Sequence, residues 1–122
     1  MAWSFTSDKL IYLQIADRIT LSVLSGEYKS GEQIPSVRQL AIEAAVNPNT
    51  VQHAFSELEN EGLIISKGTI GRYVTDNVDA IENCRKKMAE QTVKSFVQST
   101  QNLGLSKERI ITMLKEELKW TS

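Results

Sequence analysis

Two helix-start signals lie close together in the middle of the chain, and they constrain the fold more than any other feature. Ser36 follows a proline and precedes Gln39 by three residues, which is the spacing of a capping box. Asn47 precedes Pro48, whose missing N–H costs nothing in the first turn of a helix. These signals predict two short helices joined by a tight turn.

The two short helices repeat one apolar spacing, with inward positions three and four residues apart. These positions are Val37, Leu40, Ala41 and Ala44 in the first helix, and Val51, Ala54, Phe55 and Leu58 in the second. Ala41 is small enough for the helices to cross closely, Ala45 lies in the turn, and Val51 follows on the inner face. This order is typical of a DNA-binding helix-turn-helix. Glycine is usual at the turn because the backbone there is left-handed. If Ala45 adopts that conformation, its Cβ should cost about 1 kcal/mol.

The flanking segments complete a winged helix-turn-helix. A first helix is predicted from residue 10 to Gly26, because Ile11, Ile15, Ile19 and Val23 recur every four residues. Residues 27–34 are predicted to be a turn-rich connector, and residues 63–66 and 72–75 to pair as a hairpin. We predict a mainly α fold with a small β-hairpin, in which residues 1–76 form a winged helix-turn-helix DNA-binding domain. Residues 77–122 are predicted to be a short two-helix C-terminal dimerisation region, with a break at Gly104 and a cap at Ser106.

The outward face of the second short helix is polar and mostly uncharged. Asn49, Thr50, Gln52 and His53 are side chains that can read donors and acceptors on base edges in the major groove. A solvated helix face is the alternative, although such a face more often carries Glu and Lys. The hairpin that follows favours base readout, because its tip can approach the minor groove or the phosphates.

The charge balance argues against strong phosphate binding. The chain has 14 Lys and Arg against 15 Asp and Glu, and the residues before 76 carry six cations and eight anions. Non-specific DNA affinity should therefore be low, and two subunits sharing a two-fold symmetric operator become a requirement. The C-terminal helices offer a dimer contact through a stripe of apolar residues. The predicted dimerisation residues are Ile81, Met88, Phe96, Leu103, Leu114 and Leu118.

Residues 10–74 closely resemble the DNA-binding domain of the GntR family of bacterial transcription regulators. The matching motifs include Ile34-Pro35-Ser36-Val37-Arg38-Gln39-Leu40-Ala41, Val46-Asn47-Pro48-Asn49-Thr50-Val51 and Glu61-Gly62-Leu63-Ile64. The two helices that follow look like the YtrA subfamily, in which a short helical tail serves dimerisation.

This resemblance implies roles for individual residues. Ser36 and Arg38 would approach DNA from the first short helix, with Arg38 directed toward a guanine or a phosphate. Recognition-helix positions of the family are matched by Asn47, Asn49, Thr50 and Gln52, whereas His53 stands where arginine is frequent. The wing tip Thr69-Ile70-Gly71 lacks the arginine that relatives often carry, and Lys67 and Arg72 are the cations nearest to it.

The sequence therefore predicts a sequence-specific transcription regulator, expected to be a repressor, that binds a palindromic double-stranded DNA operator as a homodimer. The alternative is a winged-helix protein-interaction module without DNA binding, favoured by Ala45, His53, the missing wing arginine and the acidic domain. We expect no catalysis, cofactor or metal, since no catalytic set is present and Cys84 and His53 are the lone cysteine and histidine. A small-molecule effector of unknown identity is possible. The absence of a signal peptide or apolar span predicts a cytoplasmic protein without membrane association.

Overall fold

The first three helices pack together, and the third of them contacts both of the others. A computed structural model describes residues 3–121, in which α1 (Ile11–Leu24) and α2 (Val37–Ala44) both pack against α3 (Pro48–Asn60). Strands β1 (Ile64–Ser66) and β2 (Arg72–Val74) follow, then α4 (Val78–Asn102) and α5 (Lys107–Leu118). This order confirms the predicted winged helix-turn-helix fold with two further helices.

The caps that predicted α2 and α3 are both formed. The Ser36 hydroxyl accepts a hydrogen bond from the Gln39 N–H (3.1 Å), and the Gln39 side chain accepts one from the Ser36 N–H (2.9 Å). The Asn47 side chain accepts from the Asn49 N–H at 2.8 Å, and Pro48 occupies the first helical turn. Ala45 between them has φ 58° and ψ 49°, which confirms the left-handed turn.

The hairpin also forms, but the segment before α2 differs from the prediction. Strands β1 and β2 are antiparallel, with Ile65 opposite Tyr73. The connector is more than a turn, because the Ile34 N–H donates to the Arg72 carbonyl (3.0 Å) and the Val74 N–H to the Glu32 carbonyl (2.9 Å). Residues 31–34 thus run beside β2 as a third, irregular edge. This pairing joins distant segments, so the local composition carried no sign of it.

The core lies between α1, α2, α3 and the hairpin. The predicted inward residues Ile15, Ile19 and Phe55 are fully buried there. Ile11 is a correction: it is 44% exposed, because it is the first residue of α1 and the buried stripe begins one turn later. Trp3 and Phe5 pack against this core from the N-terminal arm.

The chain divides into two compact units, one ending at Arg85 and the other beginning at Lys86. Ile81 and Cys84 on the first turns of α4 pack against the core of the first unit. In the second unit, Ser106 caps α5 by accepting from the Arg109 N–H at 3.2 Å, as predicted. No helix within residues 3–121 has the length and apolar composition to cross a lipid bilayer.

Candidate nucleic-acid interface

The N-terminus of α2 presents an arginine that the fold does not use. Arg38 is exposed in the first turn of α2, and within residues 3–121 its guanidinium has no hydrogen-bonded or ion-paired partner. Ser36 is exposed as well, but its hydroxyl and its N–H serve the capping box. The unpaired donors of Arg38 suit a bidentate contact with guanine or phosphate oxygens.

The outward face of α3 carries the polar residues that the sequence singled out. Asn49 and Gln52 are exposed, and Thr50 is half-buried beside them. Asn47 at the cap is exposed too, although its side-chain oxygen is occupied by the Asn49 N–H. The structure thus places the predicted amide and hydroxyl side chains in the first two turns of α3, where a recognition helix contacts bases.

His53 is held by an aromatic partner on another helix. Its imidazole stacks on the ring of Tyr12 in α1, with centroids 3.6 Å apart and an interplanar angle of 7°. Tyr12 is half-buried, and this stack brings it into contact with α3. The stack limits the orientations of His53 while leaving this side chain exposed. The spacing of α1 alone gave no signal for this contact, which joins two helices.

Arg72, predicted as a wing contact, faces back into the domain. Its Nε donates to Glu59 of α3 at 2.9 Å, and its guanidinium lies 5.0 Å from the centre of the Phe55 ring. Both members of the ion pair are about one-quarter to one-third exposed, at 23% and 31%. Arg72 therefore ties β2 to α3 in the unbound structure.

Other cations of the first unit are similarly engaged. The Lys67 ammonium lies 4.5 Å over the ring of Tyr73, and the Arg18 guanidinium 4.2 Å over Trp3. Lys9 forms an ion pair with Asp17. Together with Arg72, four of the six cations before residue 76 have intramolecular contacts. Within residues 3–121, Lys29 and Arg38 are the two cations of this set without such a side-chain contact, and Arg38 is the one that lies in the helix-turn-helix, in the first turn of α2.

The comparisons with known proteins bear directly on this arrangement. Residues 11–74, which contain α1 to β2, match the family described as bacterial regulatory proteins, gntR family. The chain belongs to the GntR family. It is 35% identical over 111 residues to YhcF, an uncharacterised HTH-type transcriptional regulator of Bacillus subtilis, and the match covers 91% of this chain and 92% of YhcF.

Similarity to GntR proteins extends through the C-terminal helices. The HTH-type transcriptional repressor YtrA of Bacillus subtilis is 33% identical, over 87% of this chain and 82% of YtrA. A solved GntR family transcriptional regulator from Listeria monocytogenes is 36% identical with a TM-score of 0.84, covering 92% of this chain and 98% of that one. The protein is therefore a GntR-family transcriptional regulator of the YtrA type, with a winged helix-turn-helix DNA-binding domain.

The C-terminal helices of this GntR protein leave their apolar side chains largely uncovered. Among the residues described in α4 none is buried, and in α5 only Ile110 is. Of the predicted dimerisation residues, Ile81 packs on the first unit's core and Met88 is half-buried. The other four, Phe96, Leu103, Leu114 and Leu118, are exposed.

Proposed function

We propose that this GntR-family regulator is a repressor that binds a palindromic operator as a homodimer. The observation that carries the DNA-binding mode is the exposed guanidinium of Arg38, which has no partner within residues 3–121, together with the exposed amides of Asn49 and Gln52. Arginine and amide side chains form the bidentate pairs that distinguish guanine and adenine in the major groove. In this proposal Ser36 and Asn47 orient the two helix N-termini, whose N–H groups favour phosphate.

The remaining predicted contacts have different roles in this proposal. Thr50 and His53 line the recognition face, with His53 supplying a ring N–H or acceptor rather than the fixed charge of an arginine. Lys67 and Arg72 stabilise the wing through Tyr73 and Glu59, so they add little to phosphate binding. Affinity then depends on a few polar contacts per subunit, which is why two subunits are required.

The uncovered apolar side chains of α4 and α5 support the homodimer. Phe96 is 39% exposed and Leu118 is 65% exposed, and both belong to the second unit. An amphipathic helix is stabilised when its apolar stripe is buried. A second copy of the chain offers the same apolar side chains of α4 and α5 to cover it. We propose that residues 77–122 supply this contact in a two-fold symmetric dimer.

The repressor assignment is supported by YtrA, which is named a repressor and is similar over most of its length. The protein is proposed to act in the cytoplasm, without catalysis or a metal cofactor. A small-molecule effector would modulate the dimer.

The direct test is a mobility-shift titration on a palindromic fragment taken from upstream of the protein's own gene. We expect a discrete complex of two chains per duplex, competed by unlabelled fragment and poorly by scrambled DNA. A protein that shifts neither fragment at low salt, but retains a stable protein partner in a pull-down, would instead be an interaction module. A reporter driven by the same fragment should rise when the gene is deleted, and a fall would reverse the sign of regulation.

A further inference from the structure

The tip of the wing presents an apolar side chain instead of a charge. Ile70 is 67% exposed at the end of a short 3-10 turn, Gly68–Ile70, between β1 and β2. The flanking cations point elsewhere, since Lys67 lies over Tyr73 and Arg72 pairs with Glu59. The exposed side chain at the tip itself is therefore apolar, while the flanking Lys67 and Arg72 contact Tyr73 and Glu59.

The backbone that carries Ile70 is held in place by several hydrogen bonds. The Gln33 side-chain amide donates to the Ile70 carbonyl (2.8 Å), and the Lys67 N–H donates to the Gly71 carbonyl (2.9 Å). Gly71 has φ 127°, and a Cβ there would lie 2.7 Å from the Gln33 nitrogen. The tip is thus pre-organised by a residue from the edge segment before α2, so binding would cost little further ordering.

We propose that Ile70 is a specificity-determining residue that enters the DNA minor groove beside each half-site and rejects guanine there. This inference rests on the proposed operator binding. The minor groove is about 6 Å wide and presents only acceptors at A·T pairs, whereas guanine adds its 2-amino donor. An isoleucine side chain against the groove floor cannot accept a hydrogen bond from this amino group. The amino group would therefore clash with the side chain and lose its hydrogen bond to water. Other minor-groove proteins also place apolar side chains in this groove, as wedges between base steps.

The experiment begins by selecting duplexes from random DNA with the full-length wild-type protein. Fluorescence anisotropy then compares the selected duplex with versions carrying G·C or inosine·C at the flanking positions that show enrichment. Inosine lacks the 2-amino group but keeps the major-groove pattern of guanine. We expect G·C to weaken wild-type binding roughly tenfold and inosine·C to restore it. Ile70→Ala should bind the selected duplex roughly 5- to 20-fold more weakly and should not discriminate G·C from inosine·C.

Placing a charge at residue 70 gives a second measurement, which does not depend on the comparison of G·C with inosine·C. Ile70→Arg should make the dependence of log K on log salt steeper by about 0.9 per subunit, whereas Ile70→Ala should leave it unchanged. Leu21→Ala removes an exposed aliphatic side chain from α1 and is the matched control for affinity. Melting curves of all three variants verify folding.

The outcomes separate the two proposals. If wild-type protein enriches no duplex, the operator-binding proposal and this inference both fail. If a duplex is enriched but wild type binds its G·C and inosine·C versions equally well, or Ile70→Ala matches wild type, the minor-groove role of Ile70 alone is overturned.

Discussion

At the scale of single residues, substitutions of Arg38 should show whether operator binding depends on its positive charge alone or on the planar geometry of its guanidinium. Its guanidinium is exposed and has no partner within residues 3–121. Arg38→Ala should weaken operator binding by about 1–3 kcal/mol if the contact is bidentate. Arg38→Lys keeps the charge but loses the planar fork, so it should recover only part of the affinity. Full recovery by lysine in an anisotropy titration would indicate a phosphate contact.

Ala45 belongs to the same scale, because one backbone conformation sets its energetic cost. With φ 58° and ψ 49°, it adopts the region that glycine tolerates best. Ala45→Gly should raise the free energy of unfolding by about 0.5–1 kcal/mol, after the larger entropy loss of glycine is subtracted. Ala44→Gly, one residue earlier in α2 and buried, should be destabilising in the same urea titration. Equal losses in both variants would mean that the turn is not strained.

At the scale of elements, the fold depends on contacts that join helices and strands distant in sequence. The stack of Tyr12 on His53 connects α1 to the recognition helix, and the Arg72–Glu59 pair connects β2 to the same helix. Residues 31–34 add an edge to the hairpin and anchor its tip through Gln33. α3, the proposed recognition helix, is therefore fixed from two sides in this structure.

The Tyr12–His53 stack gives a prediction at this scale. Tyr12→Leu removes the aromatic partner and should weaken operator binding roughly three- to tenfold, since His53 then has more orientations to lose on binding. Tyr12→Phe preserves the stacked ring and should bind like wild type. A double variant with His53→Ala tests whether Tyr12 acts through His53. Tyr12→Leu should then cause no further loss of operator affinity, because the imidazole is already absent. Additive losses would place the role of Tyr12 in packing alone.

At the scale of the whole molecule, the proposed homodimer would compensate for the weak attraction of an acidic regulator to DNA. The net charge of −1 leaves little general attraction to phosphate, and most cations of the first unit are engaged. The apolar side chains of α4 and α5, by contrast, form an uncovered surface that a second copy of the chain could cover. In the proposed homodimer, two copies of α3 would contact one duplex.

Disrupting this surface should convert the dimer to a monomer. Phe96→Lys and Leu114→Lys each place a charge in the proposed dimer contact and should shift sedimentation equilibrium at micromolar concentration from two chains to one. Operator affinity should fall by at least tenfold in parallel, because the half-sites lose their linkage. Leu21→Lys, on an exposed position of the first unit, should leave the mass unchanged. A wild-type protein that is monomeric under these conditions would refute the homodimer.

The sequence by itself determined the helices, the caps and the family, because these depend on neighbours a few residues apart. Ser36 with Gln39, Asn47 with Pro48 and the spacing of apolar residues each encode local hydrogen bonds or one helix face. Only the tertiary structure decided how the cations are used. Arg72 meets Glu59 and Lys67 meets Tyr73 after the hairpin has docked and paired, so their spacing in sequence could not separate a DNA contact from an internal one. The sequence places Ile70 between the two strands, but only the structure shows that its side chain is exposed and that its carbonyl accepts a hydrogen bond from Gln33, 37 residues away in sequence.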